Sequence, residues 1–257
     1  MKRSQTIGLI ILSTTLTLSH LAPIALMQAD ASTQTRKSPR KKVARFTPSG
    51  IGAPTHRSDA ATRGQCESGR PVVVKEGQEV RLIALIPENE LGLTTAEAPA
   101  IAFYMPPTCA QTMRFSLYDA TAKKIYETFL STPTSSGIIN LNLSQLKDFP
   151  ALEVDRKYQW ELNLVIAPRD PSADATVDGF FQRTRGNPNA DQNFWFGVVT
   201  KLLEARQVKP QDAELKEDWN SLMSLVELEA IANQPLVSTF SVKPAPQIYT
   251  DSKPEKL

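Results

Sequence analysis

Tyr158-Gln159-Trp160-Glu161-Leu162-Asn163-Leu164-Val165-Ile166 alternates large apolar with polar side chains through Asn163. A period of two puts the apolar set on one face of an extended strand. The stretches around it share that period. Val80, Leu82, Ala84 and Ile86 alternate with Arg81, Ile83 and Leu85, and Ile101, Phe103 and Met105 follow after a loop. Met113, Phe115 and Leu117 lead through a short Asp119 to Lys123 turn into Ile125 to Leu130, which reads as a β-hairpin. Ile139, Leu141 and Leu143 form a one-faced strand, and Val177, Gly179 and Phe181 form the last. Short strands separated by turns predict an antiparallel β-sandwich over residues 71–186.

After Gly186 the period changes. Trp195, Val198, Val199 and Leu202 lie at helical spacing, with Asp191 placed to favour the start, and Pro210 interrupts the pattern. Leu215, Trp219, Leu222 and Val226 make a second stripe, with Asp212 and Glu214 in its first turn, where the helix dipole favours negative charge. Residues 187–236 therefore read as a C-terminal helical hairpin, and residues 237–257 as a disordered tail with little to bury.

Residues 1–31 have the form of a secretory signal: Lys2 and Arg3, an apolar run from Ile7 to Leu18, and a small-x-small site at Ala29-Asp30-Ala31. The competing reading, an uncleaved membrane anchor, needs about 20 predominantly apolar residues. Here the run is diluted by Ser13, Thr14, Thr15, Thr17, Ser19, His20 and Pro23. The expected product is exported, to the periplasm or beyond the cell, and is not transmembrane after processing. Its charge is divided. Residues 32–70 carry a net +7, whereas residues 71–257 carry −6. The first segment, rich in Arg, Lys, Ser, Thr, Pro and Gly, reads as a basic disordered arm, since so few apolar side chains cannot offset ordering entropy. Its run Arg36, Lys37, Arg40, Lys41 and Lys42 suits either an anionic surface, such as lipid or polysaccharide, or a solvated tether. Nucleic acid is not expected, because no aromatic side chains interleave with these charges.

Cys66 and Cys109 are the two cysteines of the chain. In an oxidising compartment a disulfide between them is the natural reading, contributing about 4 kcal/mol through the unfolded chain; free thiols or an intermolecular bridge are the alternatives.

The stretches LGLTTAEAPAIAFYMP (91–106), Tyr158 to Trp160, PSADATVDGFFQR (171–183) and LKEDWNSLMSLVELEAIANQPL (215–236) resemble the cyanobacterial domain of unknown function 928. The resemblance spans residues 50–236 and implies an exported protein of that lineage without an assigned activity.

The residues offer little chemistry. His20 leaves with the signal, so His56 is the one imidazole of the processed chain, and no G-x-S-x-G elbow accompanies it. No metal-ligand spacing is present, and no cofactor is expected. Asp170, Ser172, Asp174 and Asp178 are either a turn or a weak oxygen cluster for calcium. With Glu88, Glu90 or Glu97 opposite, the same loop would supply the carboxylate pair of a glycoside hydrolase. Trp160, Trp195 and Trp219 all fall on faces expected to be buried. The reading that results is a non-catalytic binding or structural module of the cell envelope, with no catalytic residues, whose partner is an envelope protein or polysaccharide. Its candidate binding residues are Asp170, Asp174, Asp178, Glu90 and Glu97, on loops Pro87 to Pro99 and Pro168 to Asp174 and at the base of the last strand. A carboxylate-dependent envelope hydrolase is the alternative. Intact mass spectrometry of the exported protein should show a chain beginning at Ser32 that gains the mass of two hydrogens on reduction. Retention of residues 1–27 would make the segment an anchor, and a doubled mass before reduction would make the bridge intermolecular.

Overall fold

A computed structural model describes residues 46, 50–53, 55–58, 81–167, 171–186 and 194–237. The alternation at 158–163 becomes the middle of the larger of two sheets. There β7 (Lys157–Val165) lies between β4 (Thr112–Tyr118) and β8 (Ala175–Arg183), antiparallel to both, while β5 (Lys124–Ser131) and β2 (Gly92–Thr94) form the edges. In the smaller sheet β3 (Ala100–Met105) lies between β1 (Ile83–Ala84) and β6 (Gly137–Asn142), antiparallel to both.

The apolar phase of each strand makes the core. Met113, Phe115, Leu117, Trp160, Leu162, Val177 and Phe181 of the larger sheet are fully buried, as are Ile101, Phe103, Met105 and Leu141 of the smaller. The Trp160 and Phe103 rings meet edge-to-face at 5.6 Å, joining the two sheets in the arrangement that aromatic quadrupoles favour. Gly179, the ladder partner of Trp160, makes room for the indole. A Cβ there would lie 2.5 Å from the ring and 2.9 Å from Ile86 Cδ1.

Both faces of β3 are buried, and α1 (Trp195–Val208) packs against β3 and β2. The buried stripe of α1 is the one its spacing predicts, and Trp195 Nε1 donates to the Leu85 carbonyl at 2.6 Å. Asp212 caps α2 (Ala213–Leu225): its carboxylate accepts the N–H groups of Glu214 and Leu215 at 2.9 and 3.2 Å, satisfying donors that the first turn leaves open. A further short helix, α3 (Glu229–Ala232), follows the left-handed Glu227 and is held by Trp219 Nε1 donating to the Ala232 carbonyl.

Several expectations change. β2 lies inside the stretch read as the loop Pro87 to Pro99 and pairs with β8 in parallel, so one ladder of the otherwise antiparallel sandwich runs the other way. Three residues are too few to show a period. Among the described residues the strand expected around Val80 to Ile86 shrinks to Ile83–Ala84, because the chain turns just after it, the Ile86 N–H donating back to the Ala84 carbonyl at 2.9 Å. Leu143 opens a 3-10 turn (Leu143–Gln145) that Asn142 caps from the end of β6. At α1 the residue before the first turn is Phe194, which makes no side-chain cap, and Asp191 lies outside the described residues.

The largest change is at the arm. Gly52 bridges to Glu90, His56 to Asp178 and Ser58 to Ile83, so residues 50–53 and 55–58 form a strap across the edges of both sheets. Arg57 donates to the Val226 carbonyl at 2.6 Å, Ala53 is buried, and Phe46 stacks edge-on against Trp195 at 4.9 Å. This part of the segment read as a disordered arm is bonded to the sandwich. Its polar composition hides the fact, because backbone bridges carry no side-chain signature. At the other edge Leu236 bridges in parallel to Ile138, and Val237, assigned to the tail, donates to the Ile138 carbonyl at 2.9 Å. Gly137 at φ +143° permits this, since the Pro235 carbonyl occupies the space a Cβ would need.

Deleting residues 32–45 should leave the thermal midpoint unchanged. Deleting 32–63 should lower it by about 5–10 °C, at about 1 kcal/mol per hydrogen bond lost and about 2–4 °C per kcal/mol in a domain of this size. Calorimetry of both truncations checks this; equal midpoints would make the strap ornamental.

Candidate functional site

Side chains that alternate with the core set share the outer face of the larger sheet, and register places them in rows. One row runs Phe129, Arg114, Asn163, Thr176 across β5, β4, β7 and β8. Within it Arg114 Nε donates to Asn163 Oδ1 at 3.2 Å, and Asn163 Nδ2 donates to Thr176 Oγ1 at 2.6 Å. The next row runs Glu127, Ser116, Glu161, Asp178. It carries three carboxylates in one line. Directly opposed residues have Cβ atoms about 4.5–5.5 Å apart, so Glu161 and Asp178 bring like charges together at some cost.

Neighbours offset that cost at both ends. Ser116 Oγ donates to Glu127 Oε2 at 3.2 Å, and Lys124 pairs with the same carboxylate. At the other end His56 Nδ1 lies 2.6 Å from Asp178 Oδ2; the imidazole is 75% exposed and the carboxylate 12%. Asp178 N–H also donates to the His56 carbonyl, so the strap fixes the ring from its backbone. Histidine and aspartate form an ion pair when the ring is protonated and a hydrogen-bonded dyad when it is neutral, with Nε2 left for another partner.

The acids expected to bind do not converge. Asp174 accepts the Ile166 N–H at 3.2 Å and lies 3.6 Å from Arg114 Nη2, its side chain 3% exposed. It secures the turn between β7 and β8. Glu97 accepts from Arg183 Nη2 at 3.0 Å, while the same guanidinium donates to the carbonyls of Leu152 at 2.7 Å and Thr95 at 3.3 Å. Asp174 precedes β8 and Arg183 ends it, so at about 3.3 Å per residue the two lie on the order of 30 Å apart, with Asp178 between them. Asp174 and Glu97, at opposite ends of β8, exceed the pair spacing of a glycosidase, at most about 9.5 Å. The two candidate loops accordingly do not build one face. Glu90 lines a hollow of about 240 Å³ with Phe46, Arg57, Pro87, Glu88 and Leu225. Asp170 and the basic run Arg36 to Lys42 lie outside the described residues.

Cys109 lies just before β4, and no described cysteine is free. Cys66 lies outside the described residues. Among the described residues no group of three or more His, Cys, Asp or Glu is placed to hold a metal ion. No described helix is long and apolar enough to cross a membrane.

The profile of the Domain of Unknown Function (DUF928) matches residues 58–236. The chain belongs to this family. The DUF928 region contains the eight strands and three α-helices of the described residues, whereas Phe46 and most of the strap precede it. No curated protein matches the chain.

Sequence reasoning passed over Glu161, Arg114 and Arg183, and left His56 as an exposed loop residue. Strand alternation does mark Glu161 and Arg114 as outward, but only the register, invisible in one sequence, sets Glu161 against Asp178. The geometry separates staple from ornament among the DUF928 acids. Asp174→Ala should cost about 2 kcal/mol, because it strands a part-buried N–H and a partly buried guanidinium. Glu97→Ala, 64% exposed, should cost at most about 1 kcal/mol. Urea unfolding of both variants gives the comparison.

Proposed function

We propose that this DUF928 protein is an exported, non-catalytic binding or structural module of the cell envelope. One observation carries the reading: Asp174, Asp178 and Glu97 each have an intramolecular partner, and each joins a loop or the strap to the sandwich. Carboxylates so engaged and so far apart act as fasteners for a rigid body. The signal-like residues 1–31 support export, and the cysteine pair supports an oxidising destination, with Cys66 as the partner of Cys109. The basic run at Arg36, Lys37, Arg40, Lys41 and Lys42 serves as a tether to an anionic envelope surface, ahead of the strap.

A hydrolase reading is favoured by one feature, the Glu161–Asp178 pair opposed across β7 and β8 beside His56. The two readings part in a single experiment. Co-sedimentation of the processed protein with anionic vesicles should fall steeply between low and high salt, since exposed charges are screened over about 8 Å at physiological ionic strength. It should vanish when residues 32–45 are deleted. Salt-independent sedimentation would remove the tether, and hydrolysis of envelope glycans that Glu161→Gln abolishes would make the protein an enzyme.

A further inference from the structure

Where the end of α1, the start of α2 and the segment after α3 meet, an open groove of about 450 Å³ is lined by Arg206, Gln207, Gln211, Lys216, Asn233 and Gln234 among others. Arg206 lies face-on to Trp219, its Cζ 4.7 Å from the ring centroid. The indole is itself anchored through Nε1 to the Ala232 carbonyl at 2.8 Å. Stacking thus fixes the guanidinium plane. Arg206 Nη1 is buried and makes no hydrogen bond, and burial holds the guanidinium below its ordinary pKa. A part-buried cation without a carboxylate partner is costly to keep unless something pairs with it.

The one carboxylate in the groove does not pair with it. Asp212 is committed to the backbone N–H groups that open α2, so the lining carries Arg206, Lys216 and this one carboxylate, a net of +1. The remaining polar lining is carboxamide, from Gln207, Gln211, Asn233 and Gln234, each able to donate and accept at once. That pairing of functions matches vicinal hydroxyls, and Pro210, Pro235 and Leu236 offer apolar surface to the C–H faces of a sugar ring. We infer that this groove binds an acidic saccharide, with a uronate carboxylate on Arg206 and Lys216 and ring hydroxyls on the carboxamides. The inference rests on the binding half of the function proposed above, but at a site separate from the tether.

Titration of the processed protein with oligogalacturonate, followed by tryptophan fluorescence and calorimetry, tests it, with maltohexaose and inorganic phosphate as comparison probes. Oligogalacturonate should bind and perturb the fluorescence, because Trp219 underlies the ligating guanidinium. Arg206→Gln should weaken binding about 10-fold or more, as expected for a charge-assisted bond. Lys216→Gln, an exposed change that leaves the thermal midpoint unaltered, should weaken it several-fold even if the Arg206 variant fails to fold. Arg156→Gln, on the sandwich, should change nothing. Absence of binding at millimolar oligomer, equal binding of maltohexaose or phosphate, or indifference to both groove substitutions would overturn the assignment. Vesicle binding that persists while the saccharide fails would sink the groove alone. New reducing ends from the oligomer would instead sink the non-catalytic reading and leave the groove standing.

Discussion

The edge-to-face contact of Trp160 with Phe103 is the constraint on which the rest of the structure depends. It lies between the central strands of the two sheets, so it sets their separation and their relative slide. The indole requires an empty site across the ladder, which Gly179 provides, and it brings Ile86 against that glycine. Interiors are packed as densely as organic crystals, so an error at this point is not absorbed locally. With the sheets placed, Leu85 stands where its carbonyl receives the Trp195 N–H, and the helical layer is positioned in turn.

Charge has a second organising role. Arg183 collects a carboxylate and two carbonyls from segments distant in sequence, and Arg57 reaches from the strap to the Val226 carbonyl while lying 3.5 Å from Glu88. A guanidinium offers five donors in a fixed fork, which suits it to holding several loops at once. Arg206 has the same donors and the same partial burial, yet no carboxylate partner among the described residues. Contrast with Arg183 and Arg57 is what marks it out.

What was legible in the sequence follows from which signals are local. Alternation at 113–118 and 158–163 and the stripes at 195–202 and 215–226 report burial directly, and each corresponds to an element at that place. Elements held by neighbours rather than by their own pattern were illegible: β2, α3 and the strap draw their stability from backbone pairing or a single anchoring bond. The site was harder still. Asp174 and Asp178 are close in sequence and face unrelated partners, whereas His56 and Asp178 are distant in sequence and touch. Such pairings arise from register and chain crossing, which one sequence does not encode in any short window.

The strap has a consequence for how molecules of this protein meet one another. β2 pairs only with residues 181–183 of β8, so the first part of β8 has its outer edge closed by the His56 segment through one backbone bond and one imidazole–carboxylate contact. An unpaired strand edge is a template for another chain. The segment that completes the monomer therefore also keeps that edge from being offered to a second molecule.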